Sequence, residues 1–502
     1  MVEFTAPTGS GPDNRVHHAQ AAAGNAAVAA RASGLLLDAL SGYVEIDRIL
    51  LKAAAGAGKS YVLRKLVADA VQHRRCARVA VIAFQNRQIW PLAIAIGKEF
   101  KDPTRVCLFI SKDRFLDLPD EVHEHAVVVT STPDIPADVE VVISTSHKLG
   151  AFSTLSRLLG HFGPAYCGDA AFDVLFVDEA WQLPHHLFDR VAKAAPLTVG
   201  VGDVGQLPPL EVGQNPWRGD PGFNPYRAWP TDYDKDSRTV TLELPAVWRP
   251  PAGQIDLWRA FYPEWGELNC VAGPDDRRLA APGLTAAAAA IWAQVGTGVP
   301  TLLEVEGLAE PEAADVDLPL MQYVESLLDE LFAAGAALEA ERYSDDGSLQ
   351  GTTLRIHPGG DSADPLVAVL ATRNQAVDDA TDVVERLRTR HGLADTECVA
   401  STVDSWQGQT NGITVAVHPL SGAAALDKFN SAFGRLAVTC TRATHGLLMV
   451  TRPGLDQLLG EAPARPGTPF GEPGNRHLPR QTHQRILATF ARGKVTVTPD
   501  RT

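Results

Sequence analysis

Continuous apolar runs rich in Val, Ile and Leu occupy residues 46–51, 79–84, 106–110, 127–130, 139–144, 174–178, 198–202 and 239–244, and segments with helical spacing of apolar residues lie between them. Runs that are apolar on both faces, rather than alternating, are expected of strands in a parallel sheet with helices packed on either side. A second series follows at 301–305, 366–372, 398–402, 413–417 and 447–451, with helical stretches at 320–334 and 375–390. The pattern predicts an α/β chain made of two tandem units. Ahead of them, residues 1–43 form an Ala-rich extension, polar and frayed over 8–18 and helical over 19–40. The first unit spans 44–245 and the second 246–460, with a Pro- and Trp-rich stretch, 248–265, leading into the second. The tail, 461–502, carries Pro463, Pro466, Pro469, Pro473 and Pro479 and a helical pattern over 480–492. It reads as a linker plus a docking segment or as a disordered end, and its composition favours disorder.

A length of 502 residues fits two or three domains, and an apolar content of 45% with 21% charged residues is that of a globular protein. No apolar stretch is long enough to span a membrane, and the N-terminus lacks a basic region followed by an apolar one, so a cytoplasmic location is expected. Cys76, Cys107, Cys167, Cys270, Cys398 and Cys440 are scattered without C-x-x-C spacing, which argues against a zinc site and a disulfide framework. A net charge of −15 has the wrong sign for a surface that attracts nucleic acid everywhere. A local basic groove is still compatible with it.

The chemistry begins at residues 53–60, A-A-A-G-A-G-K-S, between an apolar run and a helical pattern. That is the context of a phosphate-binding P-loop. Backbone N–H groups of Gly56, Ala57, Gly58, Lys59 and Ser60, with Ala55 ahead of them, would face a β-phosphate at a helix N-terminus, Lys59 would reach the β- and γ-oxygens, and the Ser60 hydroxyl would ligate Mg²⁺. The pattern departs from G-x-x-x-x-G-K-[ST] at its first position, where Ala53 replaces Gly, so the backbone there must tolerate a Cβ. Asp178 and Glu179 close the run 174–177 at a strand's C-terminal end, the edge where ligands of parallel sheets sit. Asp178 would hold Mg²⁺ and Glu179 would orient and deprotonate a water.

Residues 202–209, G-D-V-G-Q-L-P-P, follow the next strand and resemble the G-D-x-x-Q-L-P-P signature of superfamily 1 helicases. The resemblance continues at 81–92 (motif Ia), 144–148 (motif Ic), 242–249 (motif IV, closing on Arg249), 400–409 (motif V, A-S-T-V-D-S-W-Q-G-Q) and 435–443 (motif VI). The form of motif V is similar to that of the 1B branch, which includes the nonsense-mediated-decay helicase. It implies two tandem RecA-like P-loop domains with parallel sheets, and an ATP site with Mg²⁺ at the interdomain cleft. On this likeness Gln206 contacts the γ-phosphate or its attacking water, Arg249 and Arg442 bring positive charge to it from the second domain, and Gly408 lets the motif V backbone approach. Gln409 replaces the family's usual Glu and Trp406 its usual Phe. Gln20 matches an adenine-reading glutamine only in lying upstream, which leaves base specificity open.

The same likeness places Asn86, Thr145, Ser146 and Thr402 along a groove for single-stranded DNA or RNA. The loop 215–238 interleaves Trp217, Arg218, Phe223, Tyr226, Arg227, Trp229 and Tyr233, suited either to stacking on unpaired bases or to packing on the first unit. His185-His186 lacks partners at metal spacing and reads as a helix-surface feature. The function implied is an ATP-dependent helicase or single-strand translocase. The alternative is a nucleic-acid-regulated ATPase switch subunit of a larger defence or repair complex, with protein partners supplying specificity.

Overall fold

A computed structural model describes residues 2–9, 15–205, 209, 224–313, 316–427, 430–462 and 479–497. The eight runs of the first unit form one eight-stranded parallel sheet. Its order is Val127–Val129, Val106–Phe109, Val141–Thr145, Val79–Ala83, Val174–Asp178, Leu197–Gly202, Arg48–Ala53, Thr239–Leu244. The inner strands are buried along nearly their whole length and the last, an edge, is only partly covered, as expected of a sheet flanked by helices. This order brings the C-terminal ends of Arg48–Ala53, Leu197–Gly202 and Val174–Asp178 side by side. The P-loop, the turn after Gly202 and the Asp178-Glu179 pair therefore meet at one sheet edge.

The second unit is a seven-stranded sheet ordered Phe4–Thr5, Ala491–Thr496, Thr301–Glu306, Ala443–Thr451, Asn411–Val417, Val367–Ala371, Cys398–Thr402. Every pairing in it is parallel except the first. The described end of the tail, 479–497, thus differs from the disorder its composition favours. Pro479–Leu487 is a helix that buries Ile486 and Leu487, and Ala491–Thr496 pairs in register with Thr301–Glu306. The alternating Lys494-Val495-Thr496 is a strand signal outweighed, in a reading by composition, by the prolines ahead of it. A three-stranded antiparallel sheet, Arg277–Ala280, Ala337–Tyr343 and Leu349–Ile356, was likewise not anticipated. Its hairpin turns at Asp346-Gly347, where Gly347 has φ 82°.

The Ala-rich N-terminal segment is a helix, His18–Ser41, and it is packed into the first unit rather than extended from it. Ala29, Ala32, Leu36 and Leu40 lie in the same buried cluster as the P-loop alanines. Asn25 donates through Nδ2 to Ala57 O (2.9 Å) and Ala246 O (2.8 Å) and accepts from Ala246 N (2.9 Å), tying this helix to the P-loop and to the strand Ala246–Val247. The helix Ile255–Phe261 seals the two units together. Leu257, Trp258 and Phe261 share one cluster with the P-loop and with Phe433, Leu436 and Cys440 of the second unit, and the Phe261 and Phe433 rings meet at 5.4 Å. No described helix is long and apolar enough to cross a membrane.

Candidate functional site

Ala53 is the last residue of its strand, paired with Leu244 and outside the set of positive-φ residues. That is why no glycine is needed at the motif's first position. The freedom is spent downstream, at Gly56 (φ 72°) and Gly58 (φ 92°), and Gly58 caps the helix Lys59–Gln72. Gly56 is required twice over, because a Cβ there would lie 2.3 Å from the Cβ of Arg249. Gly56→Ala is therefore expected to lower the melting temperature, the left-handed backbone alone costing about 1–2 kcal/mol. A thermal melt unchanged from wild type would show that the loop relaxes away from Arg249.

Lys59 Nζ lies 2.5 Å from Glu179 Oε1, both side chains being largely buried. Burial works against the ammonium, but Glu179, Asp203 and Asp178 outweigh it, and the lysine pKa lies above its ordinary value. Asp178 is pushed up to about 7 by burial and by the neighbouring Glu179, with Lys59 pulling the other way. Glu179 sits at φ 50°, a left-handed conformation uncommon for a residue with a Cβ and of the kind that collects at functional sites. Its Oε2 is buried without a hydrogen-bond partner, as is Nε of Arg442. Ser60 is exposed at the start of the helix. An anion between Lys59 and Arg442, with a cation at Asp178, fits these unsatisfied groups.

Two residues absent from the sequence-based set complete the pocket. Asp203, 2% exposed, accepts from Gly205 N (2.8 Å) and from the Tyr262 hydroxyl (2.9 Å). Tyr262 Oη in turn accepts from Ala55 N (3.0 Å), and Trp258 Nε1 donates to Ala55 O (2.8 Å). Asp203 was visible as an acid inside G-D-V-G-Q, whereas Tyr262 had no signal beyond the aromatic richness of 248–265. Gln20, the upstream glutamine, is exposed, and the N-terminal residue that touches the P-loop is Asn25.

Arg442 is 1% exposed and donates through Nη2 to Thr441 Oγ1 (2.9 Å). Burial lowers its pKa, and Asp203, Tyr262 and Glu179 act to restore it. Arg249 is pushed down to about 9 by burial and then by Arg442 beside it, with Asp364 the largest of the groups opposing this and Tyr262 and Asp203 after it. Both guanidinium groups thus lie in the electrostatic field of Asp203, and that of Arg442 also in the field of Glu179. Their origins differ from the expectation that both arrive from the second unit. The Arg249 backbone is seated on Gly56, with Trp248 N donating to Gly56 O (2.7 Å), and only its guanidinium reaches across, to Thr441 O (3.1 Å). Half-buried Arg277 pins the two arginine segments, donating to Arg249 O, Trp248 O (2.6 Å) and Thr444 O (2.8 Å).

Gln206 lies outside the described residues. Gly408 has φ 87° and nothing within 4 Å of where a Cβ would stand, so its backbone conformation, not close approach, calls for glycine. Of the groove residues, Asn86 opens the helix Asn86–Phe100, and Thr402 Oγ1 accepts from Ser405 N (3.1 Å). Thr145 is 7% exposed and accepts from Lys148 N (3.2 Å), while Ser146 is 1% exposed. In this conformation these two hydroxyl groups are interior. Arg87, next to Asn86, instead bridges the units, donating to Ser405 O (2.9 Å) and Asp404 O (3.0 Å) of motif V.

In the aromatic loop, Trp217, Arg218 and Phe223 lie outside the described residues. Trp229 is fully buried, stacked on Phe188 with centroids 3.9 Å apart, and Tyr233 packs on it with Arg48 over its ring at 3.8 Å. Trp229 thus belongs to the first unit's core, with Tyr233 packed half-buried against it. His185 is only partly exposed, Nδ1 lying 3.3 Å from Asp189 and Nε2 3.4 Å from Asp232.

Residues 37–212, which carry the P-loop, the acid pair and Asp203, match the AAA domain family. No curated protein matches the chain. Among solved structures, it is similar to an arterivirus nonstructural protein 10 helicase in complex with DNA (14% identity, 82% of this chain and 62% of that one, TM-score 0.39). It is also similar to the PRRSV helicase (15% identity, 86% and 58%, TM-score 0.36) and to the DUF1998 helicase MrfA bound to DNA (9% identity, 91% and 52%, TM-score 0.42). The chain thus spans between about half and three fifths of the length of these structures.

Proposed function

We propose that the chain is an ATP-driven motor of the superfamily 1 kind, in its 1B branch, that moves on single-stranded DNA or RNA. One observation carries the reading: Lys59, Asp178, Glu179 and Asp203 at the edge of one sheet share a buried pocket with Arg442 from the other unit and with Arg249 from the connecting segment. Three cations facing three carboxylates suit a triphosphate, whose charge would take over the lysine now held by Glu179. Freed from Lys59, Glu179 would orient and deprotonate the attacking water, its unpartnered Oε2 being the acceptor. Arg249 and Arg442 would stabilise charge on the γ-phosphate and would lose that contact when the phosphate leaves. Mg²⁺, held by Ser60 and Asp178, would supply charge neutralisation on the β- and γ-oxygens.

Coupling to movement has a route in the contacts between units. Arg249 to Thr441 and Arg87 to motif V join nucleotide-side and strand-side segments of both, so a change in γ-phosphate occupancy would be felt at both ends. Asn86 and Thr402 would contact the sugar-phosphate backbone, and Thr145 and Ser146 would do so only after the units move apart. The net charge of −15 favours a second version, an ATPase switch within a larger complex without unwinding of its own.

ATP hydrolysis by the full chain, measured with single- and double-stranded DNA and RNA, tests both. The motor reading expects single strands to stimulate the rate and a fluorescent duplex to separate. Stimulation without separation selects the switch, and no hydrolysis under any condition removes both.

A further inference from the structure

Tyr262 links three parts of the pocket that the sequence keeps far apart. Its hydroxyl has one proton, and Ala55 N–H, 3.0 Å away, can only donate to it. The proton must therefore point at Asp203, whose carboxylate oxygens are both 2.9 Å from Oη and whose Oδ1 also accepts from Gly205 N. The result is a directed chain from the P-loop backbone through Tyr262 to the turn that follows Gly202. A second observation, independent of hydrogen bonding, points the same way. A Cβ on Gly205 would meet Cε1 of the Tyr262 ring at 2.3 Å, so the ring is seated flush on this turn. Trp258, one helical turn earlier, holds the carbonyl of the same Ala55, so one helix and its C-terminal cap grip a P-loop residue by both its N–H and its C=O. That helix, Ile255–Phe261, is also the one packed on Phe433 of the second unit.

We infer that Tyr262 is a positioning residue that locks the Asp203–Gly205 turn to the P-loop, so that its hydroxyl sets the rate of ATP turnover rather than the affinity for nucleotide. The inference rests on the ATPase reading of this pocket. Asp203, held by this turn, is one of the carboxylates that act on Lys59, so the turn's placement sets part of the field at that lysine. Asp203 faces Lys59, Glu179, Arg249 and Arg442 as well as Tyr262, so the loss of one donor to its carboxylate also makes it easier to protonate.

The test is steady-state ATPase of the full chain, wild type against Tyr262→Phe, across pH, with a thermal melt of each. Loss of a hydrogen bond to a charged group predicts a kcat lower by about ten- to a hundredfold. KM for ATP is expected to stay within about threefold, and the acid limb of the kcat profile to move to higher pH. A purely structural role would lower the melting temperature and leave the acid limb in place, and that result overturns the inference, as does an unchanged kcat. If Tyr262→Phe does not fold, Asp203→Asn reads the same link while keeping the shape of the turn. A fall in kcat with KM retained supports the link, and a wild-type kcat overturns it. A wild-type chain that hydrolyses no ATP counts against the proposed function itself, whereas an active wild type beside an equally active Tyr262→Phe removes only the role of Tyr262.

Discussion

Glu179→Gln is expected to lower ATP turnover by roughly 10²–10⁴-fold, the range that a positioned general base supplies, while nucleotide stays bound. The substitution keeps the shape of a residue held at φ 50° and leaves Lys59 an oxygen to donate to, so the pocket should not collapse. It removes one of three negative charges around Lys59, which can only favour an incoming phosphate. Lys59→Ala, its counterpart, should abolish turnover and nucleotide binding together. It strips the ammonium from among Asp178, Glu179 and Asp203 and leaves these buried acids short of a partner, a loss worth about 3–5 kcal/mol where a buried pair is broken. Its melting temperature should fall where that of Glu179→Gln does not. The measurements are single-turnover hydrolysis and equilibrium binding of a fluorescent ATP analogue. Hydrolysis by Glu179→Gln at the wild-type rate would take the residue out of its catalytic role.

What the sequence made legible is what short stretches encode by themselves. The apolar runs that form the inner strands of the first unit were legible because a strand buried on both faces needs nothing but local pattern. The P-loop and the Asp178-Glu179 pair were legible because their chemistry is set by residues a few positions apart. The lattice that holds them was not. Asn25 reaches Ala57, Tyr262 reaches Ala55 and Asp203, and Ala491–Thr496 reaches Thr301–Glu306, all across separations at which no periodicity survives. Arg249 shows the same limit from another side. Its place after Pro245 assigned it to the second unit, yet the glycine at position 56 exists to receive its Cβ, so its backbone stands with the P-loop. Composition misled where a few residues outvoted a segment, as with Ala491–Thr496. Trp229 and Tyr233 lie in a loop that suits base stacking, but burying them on Phe188 and Arg48 takes more apolar surface from water than a loop exposed for binding would.

Arg442→Ala is expected to lower kcat by about 10³-fold or more, the contribution of an arginine that meets the transferring phosphoryl group, with a much smaller loss in ATP affinity. The argument is electrostatic. Burial disfavours the charge of both guanidinium groups, and Arg442 further disfavours that of Arg249, so an anion placed beside them would relieve a cost that the nearby acids offset only in part. Negative charge spreads over the γ-oxygens as the bond to the leaving group breaks, and the relief grows along the reaction coordinate, which makes the contact stronger in the transition state than in the bound substrate. Arg442→Lys should not restore the rate. A lysine ammonium lacks the planar fork of donors, one arm of which already rests on Thr441 Oγ1 while Nε is still unpartnered. Because the residue is 1% exposed, its removal also leaves Asp203 and Glu179 with one fewer cation, and a melt of each variant separates that destabilisation from chemistry. Equal losses in kcat and in ATP binding would show that Arg442 holds the ground state and the transition state alike, and the γ-phosphate contact would then have to be assigned to Arg249 alone.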